Sequence, residues 1–272
     1  MQALSVTVAV LGILCAVLLG LFLSYRRRFH LAMCRDMGFV IPTAELRDFD
    51  ARFTPGPLGV ARDAEVMMLP TAGKVIGGTN EREAWVLAAM AKDAQHMFEF
   101  GTATGRTTYL WARNAPAGAR IGTITLHPDH GADYRTAAGD SVVSTRDAQD
   151  ESRFDAFVYS GTDVAGKVTQ YFGDSKVFDE GDWVARCDIV FVDGSHAFSY
   201  VASDSAKALR MVKPGGVVLW HDYRADAPGR DVRRCLDALA MKLPLVRLAG
   251  TRLVAYRAPA HSSEHGNDEP LT

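Results

Sequence analysis

Residues 97–108 read MFEFGTATGRTT, an apolar run that ends around a carboxylate and is followed by two glycines four residues apart. We predict a strand that stops at Phe100, a tight turn through Gly101 and Gly105, and a helix that begins near Thr104. The first N–H groups of a helix have no partner within the helix, so they can face a ligand. Glycines in the turn let that ligand approach the backbone closely. The stretch therefore predicts a ligand-binding turn between a strand and a helix.

Short apolar segments and helical segments alternate on both sides of this turn. Alternation of this kind is typical of an α/β fold, and we predict a Rossmann-like, doubly wound, mostly parallel sheet of seven strands. The last two strands would form an antiparallel hairpin, and the segment 127–167 is compatible with a strand or a loop. The predicted strands are 96–100, 121–126, 168–172, 188–192, 216–220, 245–249 and 252–256, and the predicted helices are 79–93, 104–114, 198–212 and 229–242.

The composition limits the classes of protein to which the chain can belong. Its 272 residues include 30 Lys and Arg against 32 Asp and Glu, a net charge of -2, whereas nucleic-acid-binding domains are usually strongly basic. We therefore expect no nucleic-acid partner. The 4 cysteines lie far apart, without a Cys-x-x-Cys pair, so their spacing indicates neither a disulfide framework nor a zinc cluster.

The N-terminus has the composition of a membrane anchor. Residues 3–25 carry no charge, and as a helix they are long enough to cross a bilayer. Three arginines follow at 26–28, and because positive charge stays on the cytoplasmic side, we predict a single-pass protein of a bacterial inner membrane with a cytoplasmic C-terminal domain. Small residues at Gly12, Ala16 and Gly20 suit contact with a partner helix in the membrane, a spacing that chance also supplies often.

The whole chain divides into four predicted parts. We predict an anchor at 1–28, an irregular juxtamembrane connector rich in Pro and Gly at 29–78, and a folded domain at 79–257. The connector can pack on the domain or tether it. The remaining polar residues, 258–272, are predicted to be a disordered tail.

Chemically active side chains follow four of the predicted strands. In an open parallel sheet, ligands bind outside the carboxyl ends of the strands, at the point where the strand order reverses. We therefore expect the chemistry at this edge of the sheet. The strand ends carry Glu99 before the glycine turn, Asp174 with Ser175, Asp193 with His196, and His221 with Asp222.

Together these segments resemble the class I S-adenosylmethionine-dependent methyltransferases, in particular a bacterial branch with Asp-Gly-x-His after the fourth strand. The resemblance rests on FEFGTATGRTT, FGDSKVFD, DIVFVDGSHAFSYVASDSAKAL and VKPGGVVLWHDY, and it covers about residues 76–257. It implies S-adenosylmethionine as the cofactor and a cleft for methyl transfer lined by Asp193. The implied contacts come from Glu99, Gly101, Thr102 and Gly105 to the methionine part of the cofactor, and from Asp174 and Ser175 near the adenine.

The candidate catalytic residues are Asp193, His196 and His221. Methyl transfer from a sulfonium needs an acceptor that is positioned and deprotonated, and either histidine can be the general base because the ordinary imidazole pKa is about 6.5. Both also have structural alternatives, since His196 can cap the next helix and His221 can hydrogen-bond a neighbouring loop. Some relatives hold Mg²⁺ at positions that would map to Asp193, His221 and Asp222, and of these we predict only Asp193 and Asp222 as ligands because Mg²⁺ prefers oxygen over imidazole nitrogen.

One position departs from the pattern of these enzymes. They commonly end the second strand with an acidic residue that binds both ribose hydroxyls, about 20 residues after the glycine turn. Thr125 stands at that place. One neutral hydrogen bond instead of two charge-assisted ones would weaken cofactor binding by about 1 to 3 kcal/mol. Asp129 would have to reach back from the following loop to replace the missing carboxylate.

Two hypotheses of different classes follow. The first is a membrane-anchored methyltransferase that acts on a small-molecule acceptor at the cytoplasmic face. The second is a catalytically silent protein of the same fold, an accessory or scaffolding subunit of a larger membrane complex such as a photosynthetic or respiratory assembly, motivated by Thr125 and the single anchor. A nucleotide-binding oxidoreductase is disfavoured because the glycine spacing is not Gly-x-Gly-x-x-Gly.

Overall fold

The structure is a computed structural model that describes residues 15, 17–24, 39–69, 78–226 and 229–260. The chain divides into two compact units, Met1–Phe39 and Val40–Thr272. In the first unit, residues 15 and 17–24 are helical, and large apolar side chains such as Leu19 and Phe22 are more than half exposed.

Most of the predicted membrane anchor, 3–14 together with 16 and 25, lies outside the described residues, as do Gly12, Ala16 and the arginines at 26–28. No helix among the residues that the structure does describe is both long enough and apolar enough to cross a membrane. The anchor therefore stays a prediction. Residues 261–272 of the predicted tail also lie outside the described ranges.

The second unit is built on one mostly parallel sheet of eight strands in the order β1-β7-β8-β6-β5-β2-β3-β4. Only β8 runs antiparallel to its neighbours, β6 and β7, which matches the expected closing pair. The prediction of seven strands was wrong by one, because β1 from the predicted connector pairs in parallel with β7. The strands are β1 Thr43–Ala44, β2 His96–Phe100, β3 Arg120–Thr125, β4 Val168–Phe172, β5 Cys187–Val192, β6 Val212–Trp220, β7 Val246–Leu248 and β8 Val254–Arg257.

Helices connect most of these strands. Because parallel crossovers are right-handed, the helix after β2 and the helix after β5 lie on opposite faces of the sheet, as a doubly wound fold requires. Within the unit, α2 packs on α3 and α5 packs on α6. The helices are α1 Leu46–Phe49, α2 Glu81–Ala91, α3 Arg106–Asn114, α4 Val142–Glu151, α5 Phe198–Met211 and α6 Arg230–Ala240.

The segment 127–167 forms neither the strand nor the plain loop that the sequence allowed. It contains a 3-10 helix, Pro128–Asp133, and then α4, whose N-cap residue Ser141 accepts a hydrogen bond from the backbone N–H of Val143. The side chains of α4 that are buried are small, Ser144 and Ala148. This small buried face explains why the apolar pattern did not indicate a helix.

Residues 40–69 are part of the folded unit. Leu46, Phe53 and Ala64 are buried in the main core together with residues of the central strands. The Phe53 ring packs edge-on against Trp85 of α2, with 5.1 Å between the ring centroids. The compact unit thus begins at Val40, whereas the sequence led us to place the start of the domain at 79.

The strand order reverses between β2 and β5. From this neighbouring pair, β3 and β4 continue in one direction and β6 in the other. The loops that follow β2 and β5 come very close together, since a Cβ on Gly101 would lie 2.3 Å from the backbone oxygen of Asp193. This is the edge at which ligands bind in open α/β sheets.

Candidate active site

Two cavities open at the carboxyl ends of β2 and β5. One, the narrow cavity, has a volume of about 50 Å³, and the other, the wide cavity, has a volume of about 450 Å³. Gly101, Ala103, Glu151 and Asp193 line both cavities, so the two spaces lie side by side, and we call this shared lining the junction.

The structure divides the predicted cofactor residues between the cavities. Glu99 and Thr102 line only the wide cavity, Thr125 and Ser175 line only the narrow cavity, and Gly101 lines both. The residues expected at the methionine end and those expected at the adenosine end thus fall on different sides of the junction. All three predicted catalytic residues and both predicted metal ligands line the wide cavity: Asp193, His196, His221 and Asp222.

Gly105 and Asp174 line neither cavity. Gly105 is the N-cap of α3 with a φ of 77°, and a Cβ there would lie 2.6 Å from the ring of Tyr159. Both the left-handed backbone and this aromatic contact require glycine at the position. Asp174 is buried, and its Oδ1 accepts a hydrogen bond from the backbone N–H of Lys176.

Glu99 lies at the end of β2 with its side chain fully buried. Thr108 donates a hydrogen bond to Glu99 Oε2, and Thr123 donates a second to the same oxygen at 3.1 Å. Burial, with a contribution from the charge of Asp193, raises the pKa of Glu99 to about 8. Near neutral pH this carboxyl is therefore largely protonated, and a cation bound beside it would favour loss of the proton.

His221 lies between two carboxylates. Its Nδ1 is 2.9 Å from Asp193 Oδ1, and its Nε2 is 3.1 Å from Glu83 Oε2. Burial alone would lower the pKa of His221, but the charge and hydrogen bond of Asp193 and the hydrogen bond of Glu83 raise that pKa well above 6.5. Both ring nitrogens then donate, so His221 orients Asp193 and has no lone pair with which to act as a base.

Glu83, which the sequence did not single out as a site residue, anchors this arrangement. Its Oε1 accepts from the backbone N–H of Arg252 at 2.8 Å, and its Oε2 accepts from the backbone N–H of Asn80 at 2.9 Å. Asn80 and Glu83 form the capping box of α2. The carboxylate of Glu83 thus caps the N-terminus of α2 and also holds the ring of His221 in place.

His196 and Asp222 form a second pair. His196 Nε2 is 3.3 Å from Asp222 Oδ2, and the Nδ1 of His196 is buried without a hydrogen-bond partner among the described residues. Burial would raise the pKa of Asp222, but the positive charge of His221, with electrostatic contributions from His196 and Arg224, outweighs it and lowers the pKa to about 2. If Nε2–H donates to the Asp222 carboxylate, the lone pair of His196 lies on Nδ1.

A cluster that can hold a metal ion consists of Asp193, His196 and Asp222. Each offers one ligand atom, and these atoms lie within 4.8 Å of one another. The pair predicted from the sequence, Asp193 and Asp222, is therefore joined by His196. Arg252 Nη1, 3.2 Å from Asp222 Oδ1, would compete with an ion for that carboxylate.

Thr125 is the residue that the sequence analysis places where related enzymes have a ribose-binding carboxylate. Thr125 is the last residue of β3 and lines the narrow cavity. Asp129 does not replace the carboxylate, because its side chain is 85% exposed and lies 3.7 Å from His127.

Glu151, at the end of α4, is a further carboxylate that the sequence did not single out. It lines both cavities. Burial and the nearby charges of Asp193 and Asp222 raise its pKa to about 8. No motif marks this residue in the sequence, and only the placement of α4 over the cleft brings it into the site.

Comparison with known proteins adds a family match. Residues 98–223 match a family model described as a methyltransferase domain, and these residues include every predicted site residue from Glu99 to Asp222. None of the curated proteins matches the chain.

Solved structures with some likeness to the chain include three methyltransferases. An O-methyltransferase from Streptomyces achromogenes involved in tomaymycin synthesis, in complex with SAM, is 21% identical over 66% of this chain and 82% of its own, with a TM-score of 0.45. An O-methyltransferase from Bacillus cereus in complex with SAH is 16% identical over 66% and 83%, with a TM-score of 0.43. A SAH-bound methyltransferase from Podospora anserina is 14% identical over 67% and 80%, with a TM-score of 0.46.

Proposed function

We propose that this chain transfers a methyl group from S-adenosylmethionine to a small-molecule acceptor whose nucleophile must lose a proton. The observation that carries the proposal is the pair of adjacent cavities at the reversal of strand order, with Gly101 in the lining of both. The methyltransferase-domain match over residues 98–223 supports the same reaction class. Carboxylate and imidazole groups in the wide cavity supply what deprotonation of an acceptor requires.

The lining residues fit the two halves of the cofactor. Glu99 and Thr102 in the wide cavity can take the methionine end, and Thr125 and Ser175 in the narrow cavity can take the adenosine end. The narrow cavity has a volume of about 50 Å³, and Ala148 and Glu151 of α4 form one wall of it. We expect α4 to move outward when a nucleoside enters.

His196 is the proposed general base. S-Adenosylmethionine supplies an electrophilic methyl group on a positively charged sulfur. Asp222 Oδ2 lies 3.3 Å from His196 Nε2 and stabilises the positive charge that forms on the ring when His196 takes the proton from the acceptor. His221 holds Asp193 at the junction of the cavities, where the reacting atoms of cofactor and acceptor would meet.

A divalent cation at Asp193, His196 and Asp222 is the other means of activating the acceptor. Two carboxylates and one imidazole suit Mn²⁺ or Zn²⁺ better than Mg²⁺, which the sequence led us to expect from two carboxylates alone. Methyl-transfer activity measured after chelation, and again after each metal is added back, distinguishes activation by a cation from deprotonation by His196 alone. Activity that survives chelation favours His196 acting without a metal.

Calorimetric titration of the full-length protein in mild detergent with S-adenosylmethionine tests the proposal. We expect binding in the micromolar range, and a transfer of labelled methyl groups to hydroxyl-bearing small molecules that Asp193→Asn removes. The matched control, Asp129→Asn, changes a carboxylate that is 85% exposed outside the cleft and should leave both properties intact. No heat at millimolar cofactor would rule the proposal out.

A catalytically silent accessory protein is the second candidate. Thr125 in place of a ribose-binding carboxylate and the small volume of the narrow cavity favour it. The same titration decides between the two, since a silent protein of this kind would bind no cofactor.

We also propose that residues 3–25 anchor the protein in a bilayer, with the second unit at the cytoplasmic face. The uncharged sequence of this segment and the arginines at 26–28 support the anchor. Replacement of both Leu18 and Leu19 by Arg should release the protein from carbonate-washed membranes. Leu58→Arg is the control, since Leu58 is 84% exposed in the second unit, and that variant should stay in the membrane fraction.

A further inference from the structure

An open apolar groove lies between α5 and α6 on the surface of the second unit. It has a volume of about 280 Å³. Most of the side chains that form it are apolar, and several are alanines, which leave space between the two helices: Phe198, Ala202, Ala206 and Leu209 of α5, and Ala238 and Leu239 of α6. Apolar surface that a folded unit leaves uncovered commonly marks the place where a protein or a membrane binds.

The exposed charges around this groove have one sign. Within α5 and α6, which the structure describes in full, every exposed charged side chain is basic and no acidic side chain is exposed. Asp204 and Asp231 are buried, and Asp237 accepts a hydrogen bond from Tyr223. The exposed cations are Arg210, Arg230 and Arg234, and Lys242 follows the end of α6. Because the whole chain has a net charge of -2, this face carries a local excess of positive charge.

Two of these cations lie directly at the groove. The guanidinium carbon of Arg234 is 4.1 Å from the centre of the Phe198 ring, and Lys242 is itself part of the groove wall. Met241, the neighbour of Lys242, is 79% exposed. Apolar side chains bordered by cations match the surface of a bilayer, in which acyl chains lie beneath anionic headgroups.

The folded unit also begins beside α6. The backbone N–H of Ile41 donates a hydrogen bond to the hydroxyl of Tyr223, which in turn donates to Asp237 of α6. The chain between Val40 and the arginines at 26–28 spans at most about 40 Å when fully extended. The proposed anchor would therefore keep a bilayer within reach of α6.

We propose that the groove between α5 and α6, with the cations that border it, docks the second unit on a bilayer surface that contains anionic lipids. The inference goes beyond methyl transfer and rests on the proposed anchor, which supplies the bilayer. A second copy of the chain would fit the groove less well. In a two-fold dimer the same patch faces itself, so the cations of the two copies would meet and repel each other.

Tryptophan fluorescence in vesicles that contain brominated lipids tests the proposal, because bromine on the acyl chains quenches a tryptophan that contacts them. The full-length protein is reconstituted with Met241→Trp, and its emission is compared with that of the unsubstituted protein. We expect the added emission to fall at least about twofold when the vesicles also contain phosphatidylglycerol.

The matched control is Leu58→Trp. Leu58 is exposed, and it lies in the chain between Phe53 and Ala64, which both contact Trp85 of α2. Since α2 packs on α3, this control lies on the face of the sheet opposite to α5 and α6. Its emission should not change in the same vesicles.

The charge of the lipid gives a second comparison. Vesicles of phosphatidylcholine alone should quench Met241→Trp less than vesicles with phosphatidylglycerol. Lys242→Glu, added to Met241→Trp, should restore most of the lost emission because it reverses a cation at the groove. Arg62→Glu reverses an exposed cation close to Leu58 in the chain and should leave the quenching unchanged.

Three results would overturn the inference while the anchor stands: no quenching of Met241→Trp in protein that floats with the vesicles, equal quenching of Leu58→Trp, or quenching that does not depend on the charge of the lipid. Unquenched emission that shifts to the blue as the protein concentration rises would show that a second copy covers the groove, and it would also overturn the inference. Protein that does not float with the vesicles would refute the anchor, and the inference with it. The proposed methyl transfer is tested separately, by the titration with S-adenosylmethionine.

Discussion

At the scale of single residues, Gly101 shows how closely the two central loops approach. Its φ of 98° lies in the left-handed region, and an added Cβ would lie 2.3 Å from the backbone oxygen of Asp193. A side chain at this position would strain the backbone and push apart the loops after β2 and β5. The same movement would shift Asp193 away from His221.

We therefore expect Gly101→Ala to lower the free energy of unfolding by about 2 kcal/mol or more and to weaken cofactor binding at least tenfold. Urea denaturation and calorimetric titration measure the two effects. Gly118→Ala is the control, because no atom lies within 4 Å of a Cβ built there, and its stability should stay within about 0.5 kcal/mol of the wild type. Equal stability of the two variants would contradict the prediction.

Asp204 should make the stability of the protein depend on pH. Burial raises its pKa from 3.8 to about 7, an effect that Ser175, Lys207 and Lys176 oppose and Asp174 increases. A raised pKa means that the neutral carboxyl is tolerated below about pH 4 and that stability falls as pH rises towards 7. Asp204→Asn removes this loss, so it should gain roughly 2 to 4 kcal/mol relative to the wild type between pH 4 and pH 8.

Urea denaturation at a series of pH values measures this gain. Asp182→Asn, which changes an exposed carboxylate, shows how much of any trend comes from net charge alone. If the difference between Asp204→Asn and the wild type is the same at pH 4 and pH 8, the carboxyl is not held in the environment described above.

The sequence named several of the residues that line the two cavities but not the contacts among them. Strand ends at Glu99, Asp193 and His221 could be read from apolar runs, because the period of a buried strand is a local property. The pairing of His221 with Glu83 could not, since 138 positions separate the two residues and the contact depends on how the fold brings the N-terminus of α2 to the end of β6. Local patterns carry no information about such distant partners.

At the scale of elements, α2 is joined to the site by one side chain. Glu83 completes the capping box of α2, accepts from the backbone N–H of Arg252, and lies 3.1 Å from His221 Nε2. Removal of its charge would leave a buried imidazolium with a neutral partner at Nε2. Buried charges that lose a partner are strongly destabilising.

Glu83→Gln should therefore lower the free energy of unfolding by about 2 to 4 kcal/mol, measured by urea denaturation. Glu81→Gln alters an exposed acid in the same first turn and should change stability by less than about 0.5 kcal/mol. Similar losses for both variants would mean that the helix N-terminus, rather than the contact with His221, accounts for the effect.

The sequence analysis did not predict helix α4, and the residues of this helix show the physical reason. Val142 and Val143, its most apolar residues, are 68% and 47% exposed, whereas the residues that face the protein are Ser144 and Ala148. A helix that buries small or weakly polar side chains gives no apolar stripe of period 3.6. By contrast, α2 was predicted because its N-cap and its buried alanines follow the expected pattern.

At the scale of the whole molecule, residues 40–69 belong to the core. Leu46 and Phe53 are about 5% exposed or less, and β1 extends the sheet beyond β7. A chain that begins at 79 would lose both side chains and expose their neighbours, including Trp85. Loss of a large buried side chain typically costs about 2 to 5 kcal/mol.

We expect a chain that begins at Val40 to unfold cooperatively and a chain that begins at Thr79 to melt about 10 °C lower or not to fold. Near-ultraviolet circular dichroism during heating measures the difference, with the full-length protein as the reference. Equal melting temperatures for the two shortened chains would show that residues 40–69 add nothing to the core.

The outward movement that we expect of α4 would have a consequence for ligand kinetics. When a site must open before it is filled, the apparent dissociation constant equals the intrinsic one divided by the fraction of molecules that are open. Substitutions on the outer face of α4 would change that fraction without touching a ligand. Such substitutions would change the affinity for the ligand by changing the free energy with which α4 packs on the rest of the unit. At saturating ligand, the observed rate of binding would level off at the rate at which α4 opens.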